Sequence, residues 1–206
     1  MCHLTIYRKY FGLLPKRPAY GSAVLYKQRY LLTAAHNIYD PFYNGIDRVE
    51  VRCGQEDVRD MPAQQTVDSE HLATSRNYNW KPFNGDEFQR DFGVIKLENP
   101  ITGKMPYQLA EAFPAIGTPI LLAGYPGGEN SATELFIGKG ATRPGYGKIL
   151  KYNLRTFTGN SGGPVWNISG EIPELAAIHV SQSAGRGIDT QFAEEIDYLI
   201  GILDSR

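Results

Sequence analysis

The sequence predicts an all-β protein made of two strand-rich halves and closed by one C-terminal helix. Three observations predict it. Short runs rich in branched and aromatic residues recur along the chain, many bounded by Gly, Pro, Asn or Asp. A proline-bearing stretch at 99–117, with Pro100, Pro106, Pro114, Gly103 and Gly117, separates two groups of such runs. Only the segment from Thr190 onward sets its apolar residues at helical spacing.

The strand candidates in order are GSAVLY (21–26), RYLLT (29–33), RVEVRC (48–53), FGVIKL (92–97), TPILLAG (118–124), ELFIGK (134–139), KILKYNL (148–154), GPVWN (163–167) and LAAIHV (175–180). Spacing of this kind points to sandwiches or barrels rather than alternating βαβ units. In TQFAEEIDYLIGIL, Phe192, Ile196, Leu199, Ile200 and Leu203 share one face, and Asp189 or Thr190 can cap the start. The expected division is 1–105 for an N-terminal extension and the first β-domain, 106–188 for the linker and the second, and 189–206 for a helix packed on the body.

Composition narrows the function. Of 206 residues, 42% are apolar and 21% charged, which suits a packed core rather than a disordered chain. Basic and acidic residues nearly cancel, leaving a net charge of −1, so neither nucleic acid nor a membrane surface is expected as partner. No apolar run is long enough to cross a bilayer. Cys2 and Cys53 are too few for a disulfide framework and lack zinc spacing, so two reduced thiols, no metal and no cofactor are expected. The opening MCHLTIYRKYFGLLPKRPAY holds no signal-peptide apolar stretch. The expected compartment is the cytoplasm if the chain is complete and the exterior if it is a processed mature domain.

The chemistry-bearing stretch is GNSGGPV (159–165), one hydroxyl among glycines and a proline. A hydroxyl is a weak nucleophile and needs an adjacent base, usually an imidazole that a buried carboxylate orients. Of four histidines, His3 is expected at a frayed terminus and His71 in a solvated stretch running from Gln64 to Arg90. His36 differs, because it closes LLTAAH, where a strand runs into two small alanines. Asp91, in QRDFGVIKLENP, opens an apolar strand, where an unpaired carboxylate would be costly.

TAAH, DFGVIKL and GNSGGPV, in that order, resemble the three signature segments of the chymotrypsin-like serine peptidases. The resemblance spans residue 20 to the end. It implies two six-stranded antiparallel β-barrels with the site in the cleft between them, His36 and Asp91 on the first and Ser161 on the second. It also implies hydrolysis of a protein or peptide substrate through an acyl-enzyme. The amides of Gly159 and Ser161 would meet the oxyanion, and Gly162 and Gly163 would leave room for substrate and neighbouring strand. Where digestive members with basic specificity carry an acid, six residues before the serine, this chain has Arg155, so cleavage after Lys or Arg is not expected.

A narrower likeness lies in GYPGG (124–128), Thr156 and Ile178-His179, which resemble the bacterial glutamyl endopeptidase branch. That likeness implies that Thr156 and His179 bind a substrate carboxylate, with Arg155 adding positive potential. The chain departs from the branch after His179, where Val180, Ser181 and Gln182 replace Trp and glycines. Asn160 replaces the aspartate that pairs with a freed N-terminal amine in digestive relatives, so activation of that type is not expected. Control by a regulatory partner or larger assembly stays open, as do two other readings: a catalytically silent peptide-binding module and an esterase using the same triad.

Overall fold

The strands of the first sheet are β1 (Cys2–Arg8), β2 (Ala19–Tyr26), β3 (Tyr30–Thr33), β4 (Ile46–Cys53), β5 (Gln65–Asp68), β6 (Leu72–Thr74) and β7 (Gly93–Lys96). A one-turn helix, α1 (Ala35–Ile38), follows β3. The second sheet holds β8 (Gln108–Leu109), β9 (Pro119–Gly124), β10 (Phe136–Tyr146), β11 (Ile149–Tyr152), β12 (Pro164–Asn167), β13 (Glu174–Ser181) and β14 (Ala184–Gly187). The chain ends in α2 (Thr190–Asp204). These assignments come from a computed structural model that describes residues 1–9, 18–39, 45–54, 64–79, 85–102, 107–127 and 134–206.

The first sheet runs β5-β4-β1-β2-β3-β7-β6. The second runs β12-β9-β10-β11-β14-β13-β8, and a further β12–β13 pairing joins its ends into a ring of six antiparallel strands, with β8 added in parallel at β13. This is the two-barrel, chymotrypsin-like architecture with a C-terminal helix. Closing the ring removes the open edges that a flat sheet would expose.

All nine expected strands form, and five were not expected: β1, β5, β6, β8 and β14. The largest surprise is β1. His3 is not frayed; it is 3% exposed in the middle of the first sheet, paired with Arg52 on one side and Ser22 on the other. The same register sets Cys2 opposite Cys53, and the two form a disulfide rather than reduced thiols. The stretch from Gln64 to Arg90 is not simply a solvated loop either. It carries β5, β6 and two 3-10 turns, and His71 ends the first of these with its Nδ1 2.9 Å from Asp68 Oδ1.

Each sheet has its own core. Leu4, Ile6, Leu31, Val49, Val51 and Ile95 fill the first, and Ile120, Leu122, Leu150, Val165 and Ala177 the second. A third cluster joins the halves: Leu32, Phe92 and Val94 meet Leu175, Ile178 and Ile188. The helix α2 adds Phe192, Ile196, Leu199 and Leu203, the apolar face expected from the sequence. Asp189 caps it, its side chain accepting from the Phe192 amide at 2.8 Å. The helix packs against β6 and β7, so the tail of the second half is bound to the first. Near its end Asp204 accepts from Tyr30 Oη at 2.8 Å and pairs with Lys96 at 2.9 Å.

Candidate active site

His36 reaches the cleft because β3 stops at Thr33 and the chain turns at once into α1. Ala34 and Ala35 are fully buried at that turn, where larger side chains would find no space. The His36 side chain stays 26% exposed. Asp91 lies just ahead of β7 and is 2% exposed. Its Oδ2 is 2.7 Å from His36 Nδ1, and its Oδ1 accepts the His36 backbone N–H at 2.9 Å. Both oxygens therefore hold one residue. Ser75 steadies the segment, its Oγ donating to the Arg90 carbonyl and its amide to the Phe92 carbonyl.

This geometry makes Nδ1 a donor and leaves Nε2 as an acceptor. Burial works against a charged His36, but the Asp91 charge and hydrogen bond outweigh it and hold its pKa above the ordinary histidine value, with Arg8 pulling the other way.

The loop carrying Ser161 spends its amides selectively. Asn160 N donates to Phe157 O at 3.1 Å, Gly162 N to His179 O at 2.8 Å and Gly163 N to Asn160 O at 2.8 Å. The amides of Gly159 and Ser161 have no acceptor among the described residues. Gly159 (φ +95°) and Gly162 (φ +85°) sit in the left-handed region that side chains avoid. A Cβ at Gly159 would strike the backbone of Tyr125 and Gly127; at Gly162 it would strike Ser22 O and Thr33 Oγ1. Gly163 backs onto Ala123. The room left by Gly162 and Gly163 is thus taken by the first sheet and by β9, not by substrate.

Two residues that the sequence did not single out tie this loop to the first sheet. Ser22 is fully buried. Its amide donates to Ser161 O at 2.8 Å, its hydroxyl donates to Gly159 O at 2.8 Å, and the hydroxyl accepts from Tyr125 N at 2.8 Å. Asn37, one residue past His36, donates from Nδ2 to Ser161 O at 2.9 Å and to Thr33 Oγ1 at 3.0 Å. Adjacency to His36 was a signal for Asn37; nothing in the sequence marked Ser22.

His36 and Ser161 line one cavity of about 570 Å³ between the sheets, together with Arg8, Tyr20, Thr158 and Gly159. Among the described residues no hydrogen bond joins the His36 ring directly to the Ser161 hydroxyl. Nor do any described His, Cys, Asp or Glu residues gather as a metal-binding group.

The expected specificity residues lie elsewhere. Arg155 is exposed, its guanidinium 5.0 Å from the Phe157 ring, and Thr156 is half-buried. His179 is 2% exposed in β13, with Nδ1 2.5 Å from Tyr152 Oη. Burial pushes its pKa down to about 3, the His36 charge adds to this, and a backbone hydrogen bond to Ala184 opposes both. Its main chain braces the serine loop, since His179 N donates to Gly163 O at 2.8 Å. None of the three lines the cavity that His36 and Ser161 share. Of GYPGG, Gly128 falls outside the described residues.

Comparison with known proteins agrees with this layout. No curated protein matches the sequence. Among solved structures, a Glu endopeptidase in complex with MPD is similar, with a TM-score of 0.69 and 19% identity, covering 96% of this chain and 88% of that one. At that identity the likeness shows the fold. The model of the trypsin-like peptidase domain matches residues 21–172, the span that runs from β2 through the serine loop to the turn after β12. With most of its length matched and two barrels facing each other across a cleft, the chain belongs to the trypsin-like peptidase domain family.

Proposed function

We propose that this chain is a serine endopeptidase that cleaves after acidic residues. Ser161 is the nucleophile, His36 its general base and Asp91 the group that orients and stabilises the imidazolium. The observation that carries the reading is a pairing across one cavity. The His36–Asp91 couple stands on one wall, and on the other the amides of Ser161 and Gly159 have no acceptor among the described residues.

The steps follow from those positions. His36 Nε2 takes the Ser161 proton as Oγ attacks the scissile carbonyl. The developing oxyanion meets the amides of Gly159 and Ser161, a pair of donors whose single loss typically costs about 10²–10³ in turnover. The imidazolium then gives its proton to the leaving amine, and water repeats the sequence on the acyl-enzyme. Asp91 holds the tautomer throughout.

Acidic preference is supported by the chemistry around His179. Burial raises the Tyr152 hydroxyl well above its usual pKa, so it keeps its proton, and it is hydrogen-bonded to Nδ1. With Tyr152 as the donor in that bond, a neutral His179 carries its own proton on Nε2, which makes that atom a donor. A buried neutral donor suits a carboxylate better than an ammonium. The similar solved structure is a Glu endopeptidase, which points the same way. The test combines a fluorophosphonate probe with matched peptides bearing Glu, Lys, Phe or Ala before the scissile bond. The expected outcome is labelling that Ser161→Ala abolishes, with Glu cleaved fastest. Absence of labelling in the unmodified protein would identify a silent module, and a preference for Phe or Lys would reject acidic specificity.

A further inference from the structure

A second cavity stands apart from the cleft. Its volume is about 550 Å³, within the roughly 300–1,000 Å³ of small-molecule sites. Among the described residues it shares none with the cavity of His36 and Ser161. One wall is the 3-10 turn Gly85–Arg90, which contributes Glu87 and Arg90 and runs straight into Asp91. The other wall is Lys148 at the turn between β10 and β11, Arg186 of β14, and Gln191 and Glu195 of α2. Gln89 Oε1 accepts the Lys148 amide at 3.0 Å and so ties the two walls together.

Charges of both signs meet in this space, and two of them have bonding capacity left over. Arg186 is 3% exposed, its guanidinium 5.5 Å from the centre of the Phe92 ring and 5.3 Å from that of Phe192. Its Nη1 donates to the Gly187 carbonyl, and its Nη2 stands 3.7 Å from Asp189 Oδ1. Asp189 is shared, because Oδ1 also takes the Phe192 amide and Oδ2 takes Lys148 Nζ at 2.6 Å. The Arg186 Nε–H is buried and has no hydrogen-bond partner among the described residues. The same holds for Glu87 Oε2, so the two do not pair with each other. A buried donor or acceptor left unmade is costly, and an arginine cannot shed its charge to escape.

The two orphaned atoms belong to groups of opposite sign, and this decides the class of ligand. A plain anion would satisfy Arg186 but meet Glu87 and Glu195. A plain cation would satisfy Glu87 but meet Arg90, Lys148 and Arg186. We propose that this cavity is a second binding site, for a small zwitterion such as a free amino acid or short peptide, with its carboxylate on Arg186 and Lys148 and its ammonium on Glu87 and Glu195. The inference goes beyond the proposed function and does not depend on it. A guanidinium fork matches a carboxylate, and both contacts are charge-assisted. Of the two acids, Glu195 already uses Oε1 to accept the Arg76 amide at 2.7 Å, so Glu87 is the main partner of the ammonium. A ligand held this way also bridges the turn ahead of Asp91 to β14 and α2.

The experiment is calorimetric titration of the full chain with glycine and with glycylglycine. Each is compared with its acetylated form, which lacks the ammonium, and its amidated form, which lacks the carboxylate. Sodium acetate and inorganic phosphate serve as plain anions. Glycine or glycylglycine should bind, and either cap should weaken binding about tenfold or more, the scale of one charge-assisted hydrogen bond. The comparison of the two probes shows whether a single residue or a dipeptide spans the walls. Glu87→Gln should weaken the uncapped probe by the same factor and leave the acetylated one unchanged, and Arg186→Gln should do the converse. Ser161→Ala should bind as the unmodified chain does.

No binding of either probe overturns the proposal. So do capped probes, acetate or phosphate binding as tightly as the zwitterion, which would make this a site for a single charge. Binding untouched by Glu87→Gln, or lost in Ser161→Ala, would place the ligand elsewhere and refute it as well. Arg186 is buried between two aromatic rings, so Arg186→Gln can fail to fold; the cap series and Glu87→Gln decide the matter without it. The titration needs no turnover, so a chain that proves catalytically silent leaves this result standing.

Discussion

Replacing Ser22 by Ala tests whether the two halves of the molecule hold the oxyanion amides in place. The hydroxyl donates to Gly159 O and accepts from Tyr125 N, each at 2.8 Å, and Ser22 is wholly buried. Removing it strands one carbonyl and one amide away from water. Each stranded group costs about 1–3 kcal/mol, so the loss should be about 2–6 kcal/mol. The same change frees the Gly159 peptide, whose amide is one of the two without an acceptor among the described residues. Losing an oxyanion donor outright costs about 10²–10³, and a donor that is misplaced rather than removed should cost about tenfold in kcat with little change in KM. Urea titration reads the first effect and steady-state kinetics on the best peptide, well below the melting range, read the second. A Ser22→Ala protein with the unmodified urea midpoint and unmodified kcat would refute the idea that this hydroxyl couples the sheets to the site. A fall in stability alone would confine Ser22 to a packing role.

Further outcomes follow from the titrating groups and the disulfide. With His36 raised above its usual 6.5, kcat/KM should climb with pH through a midpoint above that value, because the base works only when deprotonated. Asp91→Asn should move the midpoint down, since burial is then unopposed, and lower turnover by about 10⁴; an unmoved midpoint would contradict the pairing. His3 is held neutral by burial and by the Arg52 charge, with its pKa lowered to about 4 and neither ring nitrogen partnered. The unfolded chain binds a proton near 6.5 that the folded one refuses until about 4, so stability should fall by about 3 kcal/mol as pH drops across that window. His3→Phe should flatten the dependence, as read by melting temperature between those pH values, and an unchanged slope would count against it. The Cys2–Cys53 bond closes a separation of 51 residues, worth about 4 kcal/mol in the chain-entropy account. Reductant should lower the urea midpoint, and two thiols titrating in protein unfolded without reductant would show that the bond does not form.

Much of the fold was legible because its signal is local. Nine strands announced themselves through branched and aromatic runs, and α2 through the spacing of Phe192, Ile196, Leu199 and Leu203. The four short strands that were missed lack that signal: β14 reads AGRG, and β8 is two residues held by one parallel pairing. β1 was missed for a different reason. Cys2 through Ile6 are all buried because both of its faces are covered, so polar His3 and Thr5 stand where an alternating pattern would be sought on one face only. His3 lies 5.6 Å from the ring of Tyr20 in β2 and 5.5 Å from the ring of Tyr125 just past β9, and aromatic packing substitutes there for the hydrogen bonds a solvated imidazole would make. Tertiary covering turned an apparent loose end into a central strand, and the disulfide follows from the same register.

The candidate site divides along the same line. His36, Asp91, Gly159 and Ser161 were legible because each lies in a short segment whose local conformation is demanding: a turn that admits only small neighbours, a buried carboxylate, a glycine at φ +95°. Ser22, Asn37 and Tyr152 were not, because their roles exist only through partners 137, 124 and 27 positions away. Residues that do chemistry can be found by the backbone they require, whereas residues that set geometry and selectivity are defined by what the fold brings against them. That is why the expectation for His179 needed the structure. A strand histidine can be a core residue or a ligand, and here burial holds it neutral while its Nδ1 is hydrogen-bonded to the Tyr152 hydroxyl. The surroundings of His179 are therefore set by Tyr152, a partner 27 positions away that no single segment of the chain contains.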